Sequence, residues 1–147
     1  MYKRSVYAYS SGLFDGEGYI GIIESHNQSG SITYSCTCEL SSTSKEIIDW
    51  LVATHGGILN EVKRKGTRPP WKQQWKWVLR RRKGLRTFLR YIEYYSIIKR
   101  DQVKLAREFM AGEIKPRAAF ERMKELNHRG TAISSVKNIS ASDHTST

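Results

Sequence analysis

Between residues 31 and 40 the chain alternates without a break. Ile32, Tyr34, Cys36, Cys38 and Leu40 fall on one side of an extended segment, and Ser31, Thr33, Ser35, Thr37 and Glu39 fall on the other. Successive side chains of a strand point to opposite faces, so this strand has one dry face and one wet face. Such a strand belongs in a sheet covered on one side only. Asn27-Gln28-Ser29-Gly30 is a turn sequence, and the apolar stretch from Tyr19 to His26 before it pairs back as a hairpin.

The flanking segments supply the cover. Ser5 to about Gly16 reads as a helix in which Tyr9 and Leu13 alternate with Ser11, Gly12 and Gly16. A second helix starts at Thr43, where Thr43 and Glu46 form a capping box, carries Ile47, Ile48, Leu51 and Val52 on its core face, and ends at Gly56-Gly57. Strand three runs from Ile58 to about Lys65, and Gly66-Thr67-Arg68-Pro69-Pro70 is a loop. Strand four runs from Trp71 to about Arg82, with Trp75, Trp77 and Leu79 on one side and Lys72, Gln74, Lys76 and Arg80 on the other. Leu85, Phe88, Leu89, Ile92 and Tyr95 form a single helical stripe. Further helices cover Lys99 to Ala111 and a short segment after Pro116 that carries Phe120, Met123 and Leu126. From Gly130 onward the pattern disappears, so residues 1–128 are expected to form one domain and 129–147 a disordered tail. The order predicts an α+β domain: a four-stranded antiparallel sheet, helices on one face, and an open face of Ser, Thr, Lys, Gln and Arg.

Charge narrows the partner. The net charge is +11, and from Glu61 to Arg107 sixteen Lys and Arg stand against three acids, whereas Met1 to Asn60 holds three bases and six acids. A polyanion fits that cationic half, because contacts to phosphate release counterions and supply affinity; a merely solvated basic surface is the alternative for runs such as Arg80 to Lys83. No apolar run nears the roughly 18 residues of a membrane span and no hydrophobic signal segment follows Met1, so a soluble, intracellular protein is expected. Cys36 and Cys38, two apart on one strand face, are read as buried thiols rather than a bridge or a zinc site.

Ser10-Ser11-Gly12-Leu13-Phe14-Asp15-Gly16-Glu17-Gly18, at the junction of helix one and strand one, resembles the nine-residue LAGLIDADG signature of homing endonucleases. Gly12, Leu13, an apolar Phe14, Asp15, an acid at Glu17 and Gly18 match in register, while the two leading positions are Ser. The stretches 40–48, Gly56-Gly57-Ile58, Trp75-Lys76-Trp77 and 95–102 look like the family's successive blocks, over roughly residues 5–126. The resemblance implies an αββαββα fold with a DNA-binding saddle, in a single-motif chain that works as a homodimer.

Further implications concern chemistry. Gly12 and Gly16, four apart on one helical face, permit close approach of a second backbone, either this chain's own sheet or another copy. In the family that face is the dimer seam, which assigns Ser11, Gly12, Asp15 and Gly16 to the interface, with Asp15 orienting the helix ends. Glu17 and the Gly16 carbonyl would hold a divalent ion such as Mg²⁺ with the DNA, a hard-oxygen set. Lys99 matches the pocket lysine near the scissile phosphate. Ser42 stands where many relatives carry a solvent-positioning Gln. The saddle is expected to read double-stranded DNA with Lys63, Lys65, Arg68, Lys72, Gln74, Lys76, Arg80 and Arg82.

The implied activity is intron-homing, double-strand cleavage of a long, roughly palindromic site, leaving short 3′ overhangs. Two rivals share the fold: a nuclease-dead DNA-binding regulator and an RNA-binding intron maturase. Other nuclease signatures are incomplete. Tyr19-Ile20-Gly21 has no Gly-Ile-Tyr before it, Asp49 ahead of Glu61-Val62-Lys63 falls inside a helix, and His26-Asn27 lacks a second histidine at the required spacing.

Overall fold

Two antiparallel strand pairs meet edge to edge and are roofed by helices on one side. The computed structural model describes residues 2–63 and 72–128, so Lys65, Arg68 and the 129–147 tail lie outside the described residues. The elements run α1 (Tyr2–Glu17), β1 (Gly18–His26), β2 (Ile32–Ser42), α2 (Lys45–His55), β3 (Ile58–Val62), β4 (Gln74–Leu79), α3 (Arg82–Tyr95) and α4 (Arg100–Ala111), followed by α5 (116–128). The sheet is antiparallel with strand order β1-β2-β4-β3, and β2 pairs β4 through Leu40↔Trp77. This is the α+β architecture that the alternation of residues 31–40 predicts.

The register sorts side chains onto two faces. Ile20↔Cys38, Ile22↔Cys36, Cys38↔Leu79 and Leu40↔Trp77 stack on the covered face, where all of these residues are buried. Phe14 of α1 and Leu85, Phe88, Leu89 and Ile92 of α3 close over them, with the Phe14 and Phe88 rings edge to face. Truncating an aromatic at the centre of such a core costs about 3–5 kcal/mol. The buried Trp77 indole donates its N–H to the Gly56 carbonyl (2.8 Å), so its one polar group is satisfied. Cys36 and Cys38 are both buried free thiols, and burial pushes the Cys36 thiol up to about 12, which makes it inert.

Several boundaries differ from expectation. The N-cap of α2 is Ser44, whose hydroxyl accepts the Ile47 N–H, so the Thr43 and Glu46 box does not form. The register of the cap moves by one because the Ser42 hydroxyl already accepts the Ser44 N–H at the end of β2 (3.0 Å). Strand β4 is shorter than the apolar pattern suggests, and Arg82 opens α3 instead of closing the strand. Gly56 and Gly57 end α2 with positive φ, and a methyl group added at Gly57 would lie 2.5 Å from the Val78 carbonyl oxygen. Only glycine fits that crossing. None of the described helices is long and apolar enough to cross a membrane.

Candidate active site and nucleic-acid interface

Helix α1 divides sharply into an inner and an outer side. Ser10, Ser11 and Phe14 are buried, while Ala8, Tyr9, Gly12, Gly16 and Glu17 are exposed. A methyl group built at Gly12 or at Gly16 would meet nothing within 4 Å. These glycines therefore make room for no part of the described chain, and packing against the chain's own sheet is excluded as their reason. Ser11 does not share that face: it is buried, and its hydroxyl donates to the Ile92 carbonyl of α3 (3.4 Å). Ser11, expected beside Gly12 at the seam, thus faces α3 within its own chain.

Asp15 faces the connection between α3 and α4. Its carboxylate accepts the backbone N–H groups of Ile97 (2.8 Å), Ile98 (3.3 Å) and Lys99 (3.1 Å). The Lys99 ammonium donates as well, to the Asp15 main-chain carbonyl (2.9 Å). Orphan N–H groups ahead of a helix need an acceptor, and a carboxylate here serves three at once. Asp15 is thereby occupied within its own chain. Burial pushes the Lys99 ammonium below its ordinary value, opposed by the Asp15 and Glu17 carboxylates.

Glu17, the last residue of α1, is exposed just past Gly16. The last carbonyls of a helix lack intrahelical partners, so the Gly16 carbonyl and the Glu17 carboxylate form a small set of hard oxygen donors. Among the described residues no group of three or more His, Cys, Asp or Glu could hold a metal ion. The donor chemistry fits a divalent ion only if a second copy and a phosphate complete it.

The open face of the sheet carries Lys76 and Arg80 around one acid. Glu39 pairs with Lys76 (3.2 Å) and stands 3.8 Å from Arg80. Thr37, 0% exposed, accepts from the Arg80 Nε (3.3 Å) and donates to Glu39 (3.3 Å). The wet face thus holds a bridged cluster whose two cations are preset by one carboxylate. It is also less uniformly polar than expected, since Val78 is buried there opposite Ile58. The Tyr19 ring lies along the strand over Gly21, where a methyl group would come within 2.4 Å of its hydroxyl.

The remaining expected contacts scatter. Gln74 lies in β4, Lys63 and Lys72 are exposed at the described ends flanking residues 64–71, and Lys65 and Arg68 fall outside the described residues. Arg82 is not on the sheet face: its guanidinium donates to the Met110 carbonyl at the end of α4 (3.0 Å). Asp49, in the acid-then-acid-x-Lys pattern, sits in α2 paired with Lys45.

No family model matches the sequence, and no curated protein matches it. Solved structures do share the architecture. The homing endonuclease I-CvuI, in complex with its target in the presence of calcium, aligns with a TM-score of 0.63 at 16% identity, over 75% of this chain and 68% of that one. The archaeal intron-encoded homing endonuclease I-Vdi141I, complexed with DNA, gives 0.62 at 16% identity, over 88% and 84%. The LAGLIDADG homing endonuclease I-GzeII, in complex with a DNA target, gives 0.58 at 14% identity, over 71% of this chain and 35% of that chain. On these alignments this chain has the fold of the LAGLIDADG homing endonucleases.

Proposed function

We propose that the chain is a site-specific endonuclease of double-stranded DNA that works as a homodimer with a divalent metal. The observation that carries this reading is the outer face of α1: Gly12 and Gly16 stand open, with no atom of the described chain that a side chain there would meet, and the face ends at the exposed Glu17. A second α1 pressed against it by two-fold symmetry brings two Glu17 carboxylates together. Like charges at that range repel unless cations lie between them. Bound there by Glu17 and the Gly16 carbonyl, Mg²⁺ would supply Lewis-acid stabilisation and a more acidic water.

The chain's own residues do the rest. Lys99, fixed by Asp15, offers an ammonium beside the end of α1, where it offsets negative charge developing on a phosphate. Asp15 acts through Lys99 as a positioning residue. The open sheet face, with the Lys76, Arg80 and Glu39 cluster, lies along a groove of the duplex and sets the register of the phosphate over Glu17. Neighbours of this fold in complex with DNA support DNA as the partner.

Nicking of a supercoiled plasmid that carries a selected site, with and without Mg²⁺, tests the reading on wild type and Glu17→Gln. Cutting by wild type alone, and only with the ion, is the expected result. Equal cutting by Glu17→Gln ends the assignment of the centre. Binding without cutting by wild type would instead mark a DNA-binding regulator.

A further inference from the structure

The outer side of α3 is a row of cations. Arg82, Arg86 and Arg90 follow at four-residue intervals with Lys83 beside them, and the row ends at Tyr94, 81% exposed. The opposite side of the helix, with Leu85, Phe88, Leu89 and Ile92, is buried against the core. Since α3 roofs the covered face of the sheet, the row points away from the open face, and a duplex lying on that face does not reach it.

Helix α4 makes the second wall of a cleft of about 740 Å³, to which Arg107 and Met110 contribute beside Arg82, Lys83, Arg86 and Arg90. No acid is among the lining residues. Arg82 is committed to the Met110 carbonyl, and Arg107 pairs with Glu93. Lys83 and Arg86 carry no ion pair with a described residue, and Arg90 stands only over the Tyr91 ring, 5.8 Å from its centroid. Cations crowded into one concavity repel one another, and an anion relieves them.

The spacing says which anion. From Arg82 to Arg90 the helix rises about 12 Å, a length that meets successive phosphates of one strand. Guanidinium forks match phosphate oxygens two at a time. A cleft of this size admits one strand and not a duplex, and Tyr94 at the end of the row offers an open ring on which a base can stack. The geometry points to a second nucleic-acid site: the α3–α4 cleft takes the phosphodiester backbone of a single strand, with Tyr94 as the stacking surface, apart from the duplex-binding sheet.

Fluorescence anisotropy with labelled oligo-uridine and oligo-thymidine of about 12 nucleotides, and with a random-sequence duplex of about 30 base pairs, tests this. Arg86→Glu with Arg90→Glu is expected to weaken at least one single strand about tenfold or more, and the duplex less than about twofold. Loss of oligo-uridine alone identifies RNA as the source of the strand; loss of both identifies either strand. Tyr94→Ala is expected to weaken the strand at least about fivefold. The neutral pair Arg86→Gln and Arg90→Gln, with circular dichroism and melting as wild type, carries the comparison if charge reversal disturbs folding. Unchanged strand affinity in that pair overturns the site, as does an equal loss of strand and duplex on Lys76→Glu, which would put the strand on the open sheet face. Cutting is not required for this binding, so Glu17→Gln leaves it intact and the two readings fail separately.

Discussion

Asp15 and Lys99 are joined twice, with Lys99 the donor each time: the Asp15 carboxylate accepts the Lys99 backbone N–H (3.1 Å), and the Asp15 main-chain carbonyl accepts from the Lys99 ammonium (2.9 Å). The end of α1 and the start of α4 are thereby fastened at one point. Asp15→Asn keeps the size but replaces one accepting oxygen by a donor that opposes the N–H groups. We expect a loss of about 1–3 kcal/mol in urea unfolding, and a fall in cleavage larger than the loss of folded protein explains. Wild-type cleavage in folded Asp15→Asn would remove the positioning role.

Glu17 is exposed at the last position of α1, so Glu17→Gln should melt as wild type. Its cleavage should fall by at least about 100-fold, while DNA binding without metal is kept. Loss of binding and cutting together would place Glu17 in duplex recognition instead.

Two glycines separate packing within the chain from packing between copies. Gly12→Ala lies mid-helix in open space and should raise stability by about 0.5–1 kcal/mol in the monomer. Gly57→Ala, at φ +91° and against the Val78 carbonyl, should lower it by more than about 1 kcal/mol. Gly12→Leu should leave the monomer folded and shift sedimentation from dimer toward monomer. A Gly12→Leu protein that still dimerises would move the seam elsewhere.

His55 gives a pH dependence with a definite sign. Burial pushes its imidazole down to about 4, and its Nε2 lies 2.7 Å from the Ser10 hydroxyl. The unfolded chain, with an ordinary value near 6.5, binds the proton first, so stability is full above about pH 6.5 and is lost as pH falls toward 4. Urea unfolding at about pH 7 and about pH 5 should differ by about 1 kcal/mol from this group, after allowance for its partial exposure. His55→Gln should flatten that part of the profile; an unchanged slope would show that other groups set it.

Much of the architecture was legible because it depends on periodicity. The unbroken alternation at Ile32 to Leu40 gave a one-sided sheet, and the stripe at Leu85, Phe88, Leu89 and Ile92 gave the helix that roofs it. What periodicity does not encode is which neighbour a polar group meets across the fold. Asp15 lies 84 residues from Lys99, and Glu39 reaches Lys76 and Arg80 only through the pairing of β2 with β4. Ser11 looked equivalent to Gly12 because both are small, yet one step of rotation buries it. Arg82 looked like the end of a cationic strand because nothing in the run Arg80-Arg81-Arg82-Lys83 marks where strand becomes helix.

The Glu39 bridge has a consequence for anyone redesigning the open face. Lys76 and Arg80 are not two independent readers that can be swapped one at a time, because removing either leaves Glu39 facing the incoming polyanion with half its neutralisation gone. Useful changes of preference on this surface should arrive as coordinated triplets, and libraries that vary one position per clone will pass over them.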